Sequence, residues 1–495
     1  MVGMQHDELV IPVRILNWIN GRDQAAEGGE TFPKVDPSSG KVLCKVTRSR
    51  AADVLAAVRS ARQAYQGWRA LTPVARGDLL RAIATRLHEQ RERFAELVAS
   101  ETGKSRKDAR GEVGAAIEMG FFVAGEGRRF YGRTTTSAIP NKTAVTIRQP
   151  LGVAGLIVAA NTPLANIAWK VFPALVCGNT AVLKAAEDTP VTAWSFARLA
   201  SELGLPPGVL NVIHGFGEEA GAPLVACSDV DVISFTGSCE VGRHIGQVAG
   251  GRLAKVCLEL GGKNPLIVCD DADLPRAVEA AVLSAFSNAG QRCASGSRII
   301  VFDSVFDDFR AQLLARVARL KVGTSDDDDY GPVINADQLT GMLGAIERAR
   351  TRGLKVLAGG QRLTDDTHAR GYYLSPTVIE VAGQDDEIAG TEFFGPITSL
   401  HRVGGFDEAV KVANCSPFGL TASVWTRNVH RAMEFLSRIE SGVAVVNGAT
   451  YGSEPHMPFG GLKQSGNGAR EAGTEALDVY SDWKTVYINH DPAAT

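Results

Sequence analysis

The chain has 495 residues and no apolar run near the roughly 18 residues of a membrane-span candidate. Its longest strong run, Val153-Ala-Gly-Leu-Ile-Val-Ala-Ala160, is strand-length. A basic surplus is also missing: 52 Lys and Arg stand against 55 Asp and Glu, a net charge of −3. That leaves nothing to hold a nucleic-acid backbone. The eight cysteines show no CxxC pair or regular spacing, so neither a disulfide framework nor a metal site is expected. Cys177, Cys257 and Cys269 sit among apolar residues, as small buried thiols do. The first residues, Met1-Val-Gly-Met-Gln-His-Asp-Glu-Leu, are acidic and do not read as a secretory signal. Internal repeats and low-complexity linkers are absent as well. What is left is a reduced, cytoplasmic, globular protein with no call for a membrane or nucleic-acid partner.

Apolar residues make up 45% and charged residues 22%, and the length calls for two or three domains. Residues 51–68, 73–100 and 109–131 carry helical spacing, with Glu101-Thr-Gly-Lys104 separating the last two. From Gly152 short apolar strands (153–160, 180–184, 209–213, 232–235) alternate with helices (166–175, 192–203, 218–227, 240–249). A second such block starts at Asn264 and continues to about residue 459. Near-continuous apolar strands between amphipathic helices predict parallel sheets covered on both faces, hence an α/β protein of two lobes with a cleft between them. Segments 134–148 and 478–488 alternate polar and apolar residues and are expected to pair as a β extension whose edges favour oligomer contacts. The acidic run 326–329 reads as a solvated loop.

Against this background Cys293 stands out, in Phe286-Ser-Asn-Ala-Gly-Gln-Arg-Cys-Ala-Ser-Gly-Ser-Arg298. Its polar, small surroundings suit a thiolate stabilised by Arg292 or by backbone N–H groups, and a buried inert cysteine is the alternative. Glu259, in Leu258-Glu-Leu-Gly-Gly-Lys-Asn264, could be a base raised by desolvation, or a loop acid satisfied by glycine N–H groups. Asn161 could donate to an oxyanion, or belong to a plain turn. Phe235-Thr-Gly-Ser238 feeds a helix N-terminus that would suit a phosphate, although it is not the GxGxxG fingerprint. Gly215-Phe-Gly217 follows another strand, and Lys184 with Glu187 could meet ribose hydroxyls or form a surface ion pair.

Several motifs then occur in order: Ala160-Asn-Thr-Pro163, Trp169-Lys-Val-Phe-Pro-Ala-Leu175, Gly178-Asn-Thr180, Lys184-Ala-Ala-Glu187, Phe235-Thr-Gly-Ser238, Glu259-Leu-Gly-Gly-Lys263, Gly290-Gln-Arg-Cys293, Glu392-Phe-Phe-Gly-Pro396, Asn414 with Phe418-Gly-Leu420, and Pro458-Phe-Gly-Gly-Leu-Lys463. Through them the chain resembles the aldehyde dehydrogenase superfamily over nearly its whole length. The resemblance implies a Rossmann-type NAD(P) domain (1–130 and 152–260), an α/β catalytic domain (261–465), and a small β oligomerisation bridge with the C-terminal tail (131–151 and 466–495). It implies Cys293 as nucleophile, Glu259 as general base and Asn161 as oxyanion donor. Cofactor contacts would fall on Lys184, Glu187, Gly217, Phe235, Thr236, Gly237, Ser238, Leu260, Glu392 and Phe394.

The implied reaction is NAD-dependent oxidation of an aldehyde to an acid through a thiohemiacetal and a thioester, in a homodimer or homotetramer. Glu187 at the ribose position favours NAD over NADP, with NADP still open. The pocket would be lined by Thr162, Trp169, Arg292, Tyr451, Ser453 and Phe459, and it departs from the family in losing bulk at Ala160, Thr162 and Ser453. Such a pocket suits an aromatic or polar aldehyde. Arg292 is similar to residues of members that oxidise carboxylated semialdehydes, and Arg298 and His456 are further candidates for that role. Two alternatives keep the fold: a CoA-acylating aldehyde dehydrogenase, and a catalytically silent nucleotide-binding protein.

Overall fold

The computed structural model describes residues 11–383 and 385–493. The strands expected after Gly152 are buried on both faces, as their apolar runs require, and they form the centre of a seven-stranded sheet. Its order is Lys255–Glu259, Val232–Thr236, Val153–Ile157, Thr180–Lys184, Leu210–Ile213, Asn17–Ile19 and Arg22–Gln24. The first five are parallel, and the hairpin of the last two joins antiparallel. Chain order therefore reverses between Val153–Ile157 and Val232–Thr236, and a crevice opens beyond their C-terminal ends.

The second sheet is also seven-stranded: Lys355–Ala358, Thr377–Val381, Ile397–Val403, Gly296–Phe302, Asn264–Val268, Thr421–Trp425 and Val443–Val446. All but the first run parallel. Separate apolar clusters fill the space around each sheet, built on Leu156, Leu183 and Val212 in one and Leu266, Ile299 and Leu400 in the other. The segments read as a β extension do pair, from Ser481 opposite Pro150 to Asn489 opposite Lys142, and Thr134–Thr135 adds a third strand.

Several elements differ from the sequence reading. The helix expected over 73–100 is two, Pro73–Glu89 and Arg91–Thr102, because Gln90 leaves helical geometry (ψ 20°) without a glycine or proline to signal it. Residues 218–227 form a wide turn, Gly217–Gly221, before a short helix, Ala222–Ala226. Five short strands between Arg14 and Thr47 precede the helices. Residues 472–480, placed by sequence in the tail, bring Ala472, Leu477, Val479 and Tyr480 into the first core.

Asn179 ties that returning segment to the first sheet. It is fully buried; its Oδ1 accepts from the N–H groups of Leu151 (2.8 Å) and Gly152 (2.9 Å), and its Nδ2 donates to the carbonyls of Ala174 (3.1 Å) and Tyr480 (2.7 Å). Asn179→Ala would leave these buried groups without partners, and should destabilise the protein by about 2–4 kcal/mol. Urea unfolding checks this, and an unchanged midpoint would count against it.

Candidate active site

The two sheets are joined by a very short link. Glu259 is the last paired residue of its strand, opposite Thr236, and the next strand begins at Asn264, opposite Gly296. The C-terminal edge of the first sheet is thereby held against the N-terminal edge of the second, and Cys293 lies just before Gly296. Contact is close enough to require glycine. A Cβ on Gly262 would come within 2.8 Å of the Cys293 carbonyl oxygen. Asn264 Nδ2 donates to the carbonyls of Cys293 (2.7 Å) and Ser295 (2.9 Å), which fixes the nucleophile's backbone.

The loop before Cys293 is bent by three successive left-handed residues: Asn288 (φ 53°), Ala289 (φ 54°) and Gly290 (φ 66°). The two non-glycine residues each cost on the order of 1–3 kcal/mol, so the surroundings must hold them. Asp108 Oδ2 accepts the Asn288 N–H at 2.9 Å, Asn288 Nδ2 donates to the Gln291 carbonyl at 3.1 Å, and Gln291 Oε1 accepts the Ile334 N–H at 2.8 Å.

Asn161 reaches the same loop from the first sheet, where it follows Val153–Ile157. Its Nδ2 donates to the Gln291 carbonyl at 3.0 Å, while Asn166 Nδ2 donates to its Oδ1 at 3.3 Å. These bonds fix the orientation of the amide, and the second Nδ2 hydrogen is left for another acceptor. The Asn161 carbonyl accepts from Lys104 Nζ at 2.7 Å, and Lys104 forms a buried ion pair with Glu112 at 2.5 Å. Glu112 also accepts the Leu164 N–H at 2.9 Å, in the first turn of the helix Pro163–Val176.

Glu259 is buried, and neither carboxyl oxygen has a hydrogen-bond partner among the described residues. Burial, then Glu471, hold it well above the usual carboxylate range, against Lys170 and Arg470. Of the two sequence alternatives, the raised carboxyl is found, and the glycine N–H groups do not satisfy it. Cys293 differs from expectation. Burial, with Glu392 and Glu259 nearby, pushes its thiol up to about 12, and the Ala294 N–H and Arg292 only partly oppose this. The sequence reading weighed Arg292 and backbone N–H groups but not these acids, which arrive from distant segments.

Most positions that the resemblance gives to the cofactor follow the C-terminal ends of the first sheet's strands, and Glu392 and Phe394 precede a strand of the second. Ser238 caps the helix Cys239–Gly251, its Oγ accepting the Val241 N–H at 3.3 Å, and the turn Thr236-Gly237-Ser238 is accessible. Phe235 lies beneath Gly237, where a Cβ would meet its ring at 2.4 Å, and Leu260 supports Gly242 of the same helix. Gly217 is exposed with open space at its Cβ position. Lys184 and Glu187 pair at 2.8 Å; burial acts to raise the Glu187 carboxyl, but Lys184 holds it below its usual value. Glu392 Oε1 accepts the Gly262 N–H at 2.9 Å, and a Cβ on Gly261 would strike its other oxygen. Burial pushes Glu392 up to about 7, against the Gly262 N–H and Lys263. Phe394 follows with a left-handed backbone, φ 53°. A free helix N-terminus for a pyrophosphate, two carboxylates for ribose hydroxyls and a glycine floor fit a dinucleotide.

On the substrate side Trp169 and Phe459 meet edge to face at 5.4 Å, and Thr162 is half-buried. Arg292 stacks over the Tyr451 ring at 4.7 Å and pairs with Asp108 at 3.3 Å. Ser453 and His456 are exposed, and His456 lies 3.7 Å from Glu454. Arg298 has no place in substrate recognition: it is buried and donates to the carbonyls of Lys263, Val412 and Ala413. Sequence reasoning missed the buried group behind Glu259. There Lys170 Nζ donates to both Glu471 oxygens and to Ser234 Oγ at 2.8 Å, and Ser234 and Tyr480 donate to Glu471. It also missed Asp108 and the Lys104–Glu112 pair, the latter signalled only by Lys104 in Glu101-Thr-Gly-Lys104.

Comparison with known proteins gives the family of the chain. The model of the aldehyde dehydrogenase family matches residues 24–486. An alpha-ketoglutaric semialdehyde dehydrogenase of Bacillus subtilis (strain 168) is 38% identical over 476 residues, covering 96% of this chain and 98% of that one. A crystal structure of betaine aldehyde dehydrogenase from Staphylococcus aureus in complex with NAD+ superposes with a TM-score of 0.94 at 32% identity, covering 96% of this chain and 95% of that one. The apo form of a mutant of the same enzyme gives the same TM-score and identity, with 96% of each chain covered.

The raised thiol makes a pH prediction. Thiolate is the reactive form, so below its pKa its fraction rises with pH. Alkylation of Cys293 by iodoacetamide, without cofactor, should accelerate about tenfold per pH unit from about pH 7 to about pH 10. A plateau below about pH 9 would show an acidified thiol instead.

Proposed function

The chain belongs to the aldehyde dehydrogenase family and is an NAD-dependent enzyme of aldehyde oxidation, and we propose that it works through a covalent thioester on Cys293. The observation that carries this reading is the convergence of three groups from three segments. Asn161 bonds the loop that presents Cys293, and Glu259 and Glu392 each stand near enough for their charges to raise the thiol.

In this reading the Cys293 thiol gives its proton to solvent, and the thiolate, a small fraction at the raised pKa, attacks the aldehyde carbon. The resulting oxyanion accepts hydrogen bonds from Asn161 Nδ2 and the Cys293 backbone N–H, donors fixed before the charge develops. The chemistry supplied by the nicotinamide cofactor when bound is hydride acceptance, which turns the thiohemiacetal into a thioester. Ser238 and the helix it caps would hold the pyrophosphate, Lys184 and Glu187 one ribose, and Glu392 the other, with Phe394 alongside. Glu259 then takes a proton from water as the water attacks the thioester carbon, and the Cys293 sulfur departs. A carboxyl with raised proton affinity is the stronger base for that step. Retention of Glu259 favours hydrolysis over transfer of the acyl group to CoA.

The Glu187 carboxylate opposes an added 2′-phosphate and favours NAD over NADP. Arg292, one residue from the nucleophile and partly exposed, together with the semialdehyde-oxidising relative, supports an aldehyde carrying a distal carboxylate. The sheet of 134–150 and 481–489 leaves Tyr487 and Ile488 exposed, which suits a contact between copies in a homodimer or homotetramer. Balanced charge and eight unpaired cysteines are in keeping with a cytoplasmic setting.

The test is NADH formation from carboxylated and neutral aldehydes without CoA. Cys293→Ala should abolish it, and residual oxidation would sink the thioester route. Asn161→Ala should lower kcat roughly 100–1000-fold. For Glu259→Gln, mass spectrometry of quenched enzyme should find an acyl group on Cys293; finding none would take deacylation away from Glu259.

A further inference from the structure

Arg292 and Asp108 form a partly buried pair beside the nucleophile that the oxidation chemistry does not use. Arg292 Nη2 lies 3.3 Å from Asp108 Oδ1, its Nε donates to Ser287 Oγ at 3.3 Å, and its Cζ sits 4.7 Å over the Tyr451 ring. The two side chains are 23% and 16% exposed, so solvent reaches both and the pair is not sealed in the core. Asp108 is itself firmly placed. It lies in the first turn of the helix Arg106–Glu126, its N–H donates to the capping Ser105 Oγ at 3.2 Å, and its second oxygen accepts the Asn288 N–H at 2.9 Å. A guanidinium has five donors in a planar fork. The bonds to Asp108 and Ser287 engage two of its nitrogens at long distance, and the fork can still take a second carboxylate in part.

We propose that Asp108 is a specificity-determining residue: it holds the Arg292 guanidinium against Tyr451, and its charge weakens the pull of Arg292 on anions approaching Cys293. This rests on the reading that aldehydes reach Cys293 past Arg292. Arg292 gives the entrance a preference for a carboxylate-bearing aldehyde. Asp108 limits that preference, so that the acid product, which carries one negative charge more than its aldehyde, is not retained.

Alkylation of Cys293 tests this without any substrate. Iodoacetate and iodoacetamide both form a bond to Sγ and release iodide, and they differ in a carboxylate against a neutral amide. The ratio of their second-order rates at one pH cancels thiolate fraction and general access, leaving the charge at the entrance. In Asp108→Asn the amide oxygen can still accept the Asn288 N–H, so the loop is supported while the charge is removed. The iodoacetate-to-iodoacetamide ratio should rise roughly 3–10-fold in Asp108→Asn and fall by a similar factor in Arg292→Met. The double variant removes one charge of each sign and should return close to the wild-type ratio, and high salt should compress all these differences.

A purely structural role for Asp108 would change both rates together. An unchanged ratio in Asp108→Asn would therefore overturn the proposal. Should that variant fail to fold, Arg292→Met decides, and an unchanged ratio there has the same effect. NADH formation from a neutral aldehyde is followed in parallel with wild-type enzyme. Absence of NADH with the ratios shifted would remove the proposed function while leaving the charge pair established.

Discussion

The site depends on the four residues, 260–263, that join the two sheets. So short a link gives the second sheet no freedom to stand away from the first, and the strand edges must meet. Gly261 and Gly262 make this sterically possible: side chains there would collide with Glu392 and with the Cys293 carbonyl. Lys263 is anchored in turn, its carbonyl accepting from the buried Arg298 at 2.9 Å. Arg298 bonds two further carbonyls in the helix Phe406–Asn414, so the junction is fixed to the second lobe's core. With the strand ends held this way, the backbone itself keeps Glu259 from one lobe near Cys293 from the other.

The same closeness explains the electrostatics. Glu259, Glu392 and Glu471 are brought together in a region poor in water, and burial is the first cause raising both Glu259 and Cys293. Of the three acids, Glu471 has the full set of partners: Lys170, Ser234 and Tyr480. A buried pair of this kind adds little net stability over apolar packing, but removing one partner leaves a costly isolated charge. Its contribution here is positional. Glu471 is, after burial, a cause that raises the Glu259 carboxyl, and Lys170 opposes it.

Fold and site were unequally legible in the sequence. Fully buried parallel strands must be apolar along their length, so Val153–Ile157, Thr180–Lys184 and Val232–Thr236 were readable as strands. The early strands were missed because they are short, and Arg22–Gln24 is polar and largely exposed. Gln90 breaks a helix with ordinary helix-compatible residues on either side, so nothing local announces the change. Cys293, Glu259 and Asn161 could be singled out because each is a reactive or polar group set in small or glycine-rich sequence. Lys170 and Glu471 could not, since a lysine in an amphipathic helix and an acid in a loop normally face water. Their partnership spans 301 positions. The causes that raise the Cys293 thiol were hidden for the same reason: Arg292 is adjacent in sequence, whereas Glu259 and Glu392 come near it only in space.

Asp108 couples the geometry of the loop to the charge beside Cys293. Its two oxygens serve different ends of the nucleophile loop, one holding the strained Asn288 and the other Arg292. It belongs to a helix packed on the first lobe, whereas the loop belongs to the second. A left-handed turn that costs energy persists only if fixed from outside, and here one of the fixing groups is also the counter-charge of the residue beside the nucleophile. Loop geometry and entrance charge are therefore not independent variables in this protein. A change in how the lobes seat against each other would move Asp108 relative to both Asn288 and Arg292, altering at once the aim of the thiol and the charge that an incoming aldehyde meets.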